Sequence, residues 1–124
     1  MYEISVVSSF SAAHNLREYQ GKCENLHGHN WKVELIVASE SLNKEGMIMD
    51  FKKVKSVLNQ VLNILDHKYI NEIPPFDKVN PTSENIAKFV YEKAKEKLGS
   101  GNFKIKKINI WETEHSRASY YGEE

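Results

Sequence analysis

Two stretches near the N-terminus alternate apolar and polar residues so strictly that half-buried β-strands are the natural reading. In "HGHNWKVELIV", Trp31, Val33, Leu35 and Val37 fall on one side, while Asn30, Lys32 and Glu34 fall on the other. Successive side chains of a strand point to opposite faces, so one face meets a core and the other turns outward. By that parity His27 and His29 lie on the apolar side. The opening segment from Tyr2 to His14 repeats the pattern, with Ile4, Val6, Phe10 and Ala12 on a face that His14 continues.

The period changes further on. "SESLNKEG" is a polar loop, and "MIMD" is expected to be a short returning strand. Asp50 is a candidate N-cap. Phe51, Val54, Leu58, Val61, Leu62 and Leu65 recur at three- and four-residue steps, predicting an amphipathic helix over about 51–66. "NEIPPFDKVNP" reads as a proline-punctuated loop. Thr82 or Asn80 can cap a second helix with a buried stripe of Ile86, Phe89, Val90 and Leu98, stopped by Gly99. From Phe103 a strand resumes, with Ile108, Ile110 and Glu112 on one face and Phe103, Ile105 and Trp111 on the other. A last strand is expected around Ala118 to Tyr121. Strands, two helices, then strands imply an α+β fold: an antiparallel sheet with both helices on one face, in a single domain over residues 1–124.

Composition excludes several functions. The 17 basic and 17 acidic residues cancel, which argues against a nucleic-acid binder that works by neutralising phosphates. One cysteine allows no internal disulfide. No window approaches the ~20 apolar residues of a membrane span, and "MYEISVVSSF" has no signal-peptide pattern. A cytoplasmic location, with no membrane and no nucleic-acid partner, is the expectation.

The residues able to carry chemistry are few. His27 and His29 project to the same side of a strand, roughly 6.6 Å apart along the backbone, a spacing from which two imidazoles can meet at one metal ion. His14 is the natural third ligand if the first two strands form a hairpin. Gly28 puts no side chain on the opposite face, which would permit close backbone approach there. Cys23 lies four residues before His27, or ~13 Å on a straight strand. It can be a fourth ligand, a nucleophile or base beside an open metal, or a buried inert residue; spacing does not choose. Asp66 and His67 end the first helix. A histidine there is favoured in its charged form by the macrodipole, but successive helical residues diverge by about 100°, so Asp66 is not expected to orient its own neighbour. Glu112 extends an apolar face; either that face has reached solvent, or the carboxylate receives paired N–H donors from a ligand.

Taken in order, "SFSAAHNL", "CENLHGHNW", "MIMDF", "LDHKYIN", "NPTSENIA" and "WETEHSRASY" resemble the 6-pyruvoyltetrahydropterin synthase family, especially its 6-carboxy-5,6,7,8-tetrahydropterin synthase branch, from about residue 3 to 121. The resemblance implies the tunnelling fold (T-fold), one Zn2+ per chain on His14, His27 and His29, and a catalytic thiol at Cys23. It further implies a proton relay of His67 with Asp66, a pterin anchor at Glu112, and a homo-hexamer with sites between subunits. The implied reaction turns 7,8-dihydroneopterin triphosphate into 6-carboxytetrahydropterin, acetaldehyde and triphosphate, a step towards queuosine. Glu24, directly after Cys23, keeps a second product open, because another branch carries a glutamate near this point and releases 6-hydroxymethyldihydropterin for folate. The pyruvoyl-forming branch usually has a longer gap before H-x-H. A non-enzymatic alternative is a pterin-binding module whose zinc is only structural. Lys22, Lys32 and Arg117 read as solvated surface charge.

Overall fold

The computed structural model describes residues 1–18 and 24–123. Strands β1 (Tyr2–His14) and β2 (His27–Ser39) are followed by helices α1 (Phe51–Leu62) and α2 (Ser83–Leu98), then by strands β3 (Lys104–Thr113) and β4 (Ser116–Tyr121). The sheet order is β1-β2-β3-β4, and every pairing is antiparallel. Both helices are thus inserted between neighbouring strands β2 and β3, and they pack on one face of the sheet.

The alternation dictates this layering. Trp31, Val33, Leu35 and Val37 are fully buried under the helices, whereas Gly28, Asn30, Lys32 and Glu34 face outward and are not buried. From α1, Val54, Leu58, Val61 and Leu62 meet them; from α2, the expected stripe of Ile86, Phe89, Val90 and Leu98 is buried, joined by Ala87, Tyr91 and Ala94. Each such aliphatic side chain contributes about 1.5–3 kcal/mol by leaving water. Asp50 caps α1 by accepting from the Lys52 N–H at 2.8 Å. Thr82, not Asn80, caps α2, accepting from the Asn85 N–H at 3.1 Å, and Gly99 ends it at φ 75°.

Four expectations are corrected. "MIMD" is not a strand; Met47–Asp50 forms bends that lead into the cap. Helix α1 stops at Leu62 rather than at residue 66, and turns follow. Ile105 belongs to the buried face, because the β2–β3 register shifts between Ile36 and Val37 and sets Ile105 opposite core residue Val37. An extra residue in one strand inverts the parity beyond it. Finally, among the described residues a Cβ at Gly28 would meet only the Ala12 carbonyl, at an ordinary 3.7 Å, so none of them approaches closely enough to require glycine there.

Candidate metal centre

The β1–β2 register sets His14 directly opposite His27, and Ala12 opposite His29. All three histidines have the parity of Phe10 and Trp31, so they form one cluster at the end of the hairpin. Their ring centroids are 4.6 Å (His14–His27), 4.8 Å (His27–His29) and 5.4 Å (His14–His29) apart. Trp31, fully buried, forms the floor: His14 and His29 meet it edge-on at 4.9 and 5.3 Å, and Phe10 stacks on it at 5.7 Å. Glu112 enters from β3, with Oε1 3.3 Å from His14 Nε2 and 3.7 Å from His29 Nε2.

The hydrogen bonds assign the ring nitrogens. His14 Nδ1 lies 2.8 Å from the Pro81 carbonyl, and His27 Nδ1 lies 2.9 Å from the Asn25 carbonyl. A carbonyl only accepts, so each Nδ1 holds the proton and each Nε2 keeps its lone pair. Despite the nearby carboxylate, His14 Nε2 and His29 Nε2 are buried without a hydrogen bond among the described residues. An orphaned buried nitrogen costs about 1–3 kcal/mol, and two of them facing each other call for a shared partner. One ligand atom from each of His14, His27, His29 and Glu112 lies within 4.8 Å of all the others. Donors around a tetrahedral zinc at ~2.0–2.1 Å stand roughly 3.4 Å apart, so small side-chain rotations would suffice. Burial holds the His14 imidazole below its ordinary pKa; the Pro81 carbonyl opposes this, His27 adds to it, Glu112 opposes it, and His29 adds to it. Neutral imidazole is the form that binds metal.

Asp66 and His67 are not in this cluster. They do face one another, contrary to the helical expectation: His67 Nδ1 is 2.9 Å from Asp66 Oδ2. The helix has ended, and His67 has a left-handed backbone with φ 56°, which replaces the 100° helical step. Residues 66–69 run along the edge of β1, with the His67 N–H donating to the Ser11 carbonyl, the Ala13 N–H to the Lys68 carbonyl, and the Ser11 N–H to Asp66 Oδ1 at 2.9 Å. The His67 ring is 83% exposed. It lines a shallow depression with Ser11, Ala13, Gly28 and Asn30 of the outward parity, together with Ala12 and His29.

The Asp66 carboxyl is held below its ordinary pKa by the Ser11 N–H first, then by the His67 hydrogen bond; burial opposes, and the His67 charge adds. A depressed folded-state pKa contributes stability that is complete above the unfolded value, about 4, and lost as pH falls through the folded one. Asp66→Asn can still accept from Ser11 but cannot titrate, so its melting temperature should vary less below about pH 4 than that of the wild type. Superimposable acid limbs in thermal melts of the two proteins would count against this role for Asp66.

Cys23 lies outside the described residues. Sequence reasoning missed the loop contacts around the cluster: Arg17 donates to the carbonyls of Asn71 at 3.1 Å and Phe76 at 2.6 Å, and Asn71 Oδ1 accepts from the Asn15 N–H. An arginine between polar loops carries no signal of such pairing.

The fold and the site define an α+β protein with a histidine–glutamate cluster, able to hold a metal ion, at the end of its first hairpin. The chain belongs to the 6-pyruvoyl tetrahydropterin synthase family, whose model matches residues 3–123. Dihydroneopterin monophosphate aldolase of Pyrococcus furiosus is 39% identical over 105 residues, covering 85% of this chain and 84% of its own. The 6-carboxy-5,6,7,8-tetrahydropterin synthase of Synechocystis is 37% identical over 118 residues, covering 91% and 88%. The structure of 6-pyruvoyl tetrahydropterin synthase from Caenorhabditis elegans superposes with a TM-score of 0.87 at 30% identity, covering 98% of this chain and 96% of that one, which bears out the tunnelling fold. Among the described residues no helix is long and apolar enough to cross a membrane.

Proposed function

We propose that this protein is a zinc-dependent lyase, a 6-carboxy-5,6,7,8-tetrahydropterin synthase that converts 7,8-dihydroneopterin triphosphate to 6-carboxytetrahydropterin, acetaldehyde and triphosphate. The observation that carries the reading is the group of His14, His27, His29 and Glu112, in which the Nε2 atoms of His14 and His29 are buried without a hydrogen bond among the described residues, in a chain similar over most of its length to synthases of that name. His14, His27 and His29 would hold one zinc per chain. When bound, zinc supplies Lewis acidity to oxygens of the substrate side chain.

The chain's own residues divide the remaining work. Cys23, as thiolate beside a cation, takes a proton from the substrate side chain. Asp66 fixes the His67 Nδ1 proton, so that Nε2 is the atom that exchanges a proton with substrate. Glu112 anchors the aminopyrimidinone edge of the pterin through its two oxygens; its position beside His14 and His29 also makes it a fourth candidate ligand before substrate arrives. His67 is exposed while His14 is buried, an arrangement that suits a site completed by a neighbouring copy in a homo-hexamer. The cytoplasm and the route to queuosine fit the same reading.

A second reading is favoured by the 39% identity to the Pyrococcus aldolase and by Glu24 beside Cys23: cleavage to 6-hydroxymethyldihydropterin, from a triphosphate or a monophosphate. Mass spectrometry of products from dihydroneopterin triphosphate and monophosphate separates them. Acetaldehyde with carboxytetrahydropterin from the triphosphate is expected. Hydroxymethyldihydropterin as main product overturns the first reading in favour of the second, and untouched substrates with zinc-loaded protein overturn both.

A further inference from the structure

We propose that Asn80 is a positioning residue for the candidate metal centre: it fixes the Pro81–Thr82 peptide, whose carbonyl holds the His14 imidazole in its metal-binding tautomer. The proposal rests on the reading of His14 as a zinc ligand. Asn80 and Thr82 both have side chains suited to capping α2. Thr82 takes that task, and the Asn80 side chain is engaged elsewhere. The Arg17 N–H donates to Asn80 Oδ1 at 2.7 Å, and Asn80 Nδ2 donates to the Arg17 carbonyl at 3.0 Å. The side-chain amide thus pairs with backbone as a neighbouring strand would. A backbone N–H only donates and a carbonyl only accepts, so the pairing settles which amide atom is the oxygen.

The backbone of Asn80 carries the constraint to His14. Its carbonyl accepts from the Thr82 N–H at 2.9 Å and from Asn85 Nδ2, in the first turn of α2, at 2.9 Å. The N–H and C=O of a trans peptide point to opposite sides. Anchoring the Thr82 N–H on Asn80 therefore turns the Pro81 carbonyl the other way, where it meets His14 Nδ1 at 2.8 Å. Pro81 directly follows Asn80, and Arg17 lies on the stretch of chain that leaves His14, so the two contacts close a ring. Pro81 holds the His14 side chain while Asn80 holds the backbone just beyond it. His14 Nε2 has no hydrogen bond among the described residues, so the bond to Pro81 is the one that selects the tautomer. Which imidazole nitrogen is free for a metal is set by the bond the other makes. Loss of such an outer partner typically costs about 10–100-fold in metal affinity or activity.

Asn80→Ala removes both bonds to Arg17. The tautomer of His14 is read in metal-free protein from the NMR shifts of its ring nitrogens, at a pH where the imidazoles are neutral. Zinc affinity is measured by competition with a chromophoric chelator, and the ligand field by the visible spectrum of Co2+-loaded protein. The wild type is expected to carry the His14 proton on Nδ1 alone. In Asn80→Ala we expect both tautomers, about 10-fold weaker zinc binding and a shifted Co2+ spectrum. A role confined to loop stability would lower the melting temperature but leave the ring shifts and the zinc affinity of the folded protein at wild-type values; that result overturns the proposal. If Asn80→Ala does not fold, Asn85→Ala carries the test. The capping bond uses the Asn85 backbone N–H and survives that change, and alanine suits a helix. Losing Asn85 Nδ2 frees the Asn80 carbonyl on one side, so mixed His14 tautomers are expected there, and wild-type ring shifts overturn the proposal. Wild-type protein that binds zinc but converts no pterin sinks the lyase reading alone, and the His14 shifts still decide the role of Asn80.

Discussion

His14→Ala is expected to lose zinc altogether under conditions where the wild type holds about one equivalent per chain, and to lose turnover with it. His14 is the most buried of the three imidazoles, at 1% exposure, and its Nε2 has no hydrogen bond among the described residues. Removing an inner ligand should cost more than the roughly 100-fold that an outer partner costs. The stability consequence separates metal loss from misfolding. A wild type saturated at 1,000 times its dissociation constant gains about 4.1 kcal/mol, worth on the order of 10–20 °C in a domain of this size. That metal-dependent shift should vanish in His14→Ala. The metal-free proteins should melt close together, because the substitution removes an orphaned nitrogen, which relieves about 1–3 kcal/mol, while also removing the bond to Pro81 and the edge contact with Trp31. Elemental analysis and paired melts with and without chelator check both halves. A variant that keeps its zinc would mean that the cluster is not the metal site.

Much of this centre could be read from strand parity alone. His27, His29 and Trp31 share a face because two residues make one strand period, and His14 joins them because its own strand carries the same pattern to its end. Glu112 follows from Ile108 and Ile110 by the same rule, although its approach to the imidazoles needed the β2–β3 register. What parity could not carry was any local break in period. The bulge beside Val37 moved Ile105 to the core. The end of α1 was hidden because Leu65 continues the helical spacing and is buried, so apolar periodicity outlasts the helix. The left-handed backbone of His67 has no sequence signal, since such a φ is uncommon outside glycine, and it alone lets adjacent residues pair. "MIMD" failed because a short apolar run is equally at home in the bends that deliver a helix to its cap.

Cys23→Ala should retain zinc while kcat falls by about 10²–10⁴-fold, the range for loss of a positioned acid or base. Of the three roles open to this thiol, base and ligand predict opposite metal behaviour, and an inert residue would leave both zinc and rate unchanged. If Cys23 closed a structural tetrahedron, its loss would release zinc and lower the melting temperature together. The donor set argues for the first outcome. His14, His27, His29 and Glu112 already supply four ligand atoms within 4.8 Å of one another, so a fourth donor is at hand without the thiol. On the proposed lyase reading the thiol is then free to move protons, a role for which a nearby cation would favour its thiolate at neutral pH. Cys23→Ser sharpens the comparison, since it preserves size and hydrogen bonding but raises the pKa of the group far above neutrality. A proton-transfer role predicts that serine rescues little of the rate lost with alanine, with zinc content unchanged in both. Zinc analysis alongside single-turnover rates decides the matter: if either variant comes away metal-free and destabilised, the thiol is a staple and the catalytic assignment of Cys23 fails.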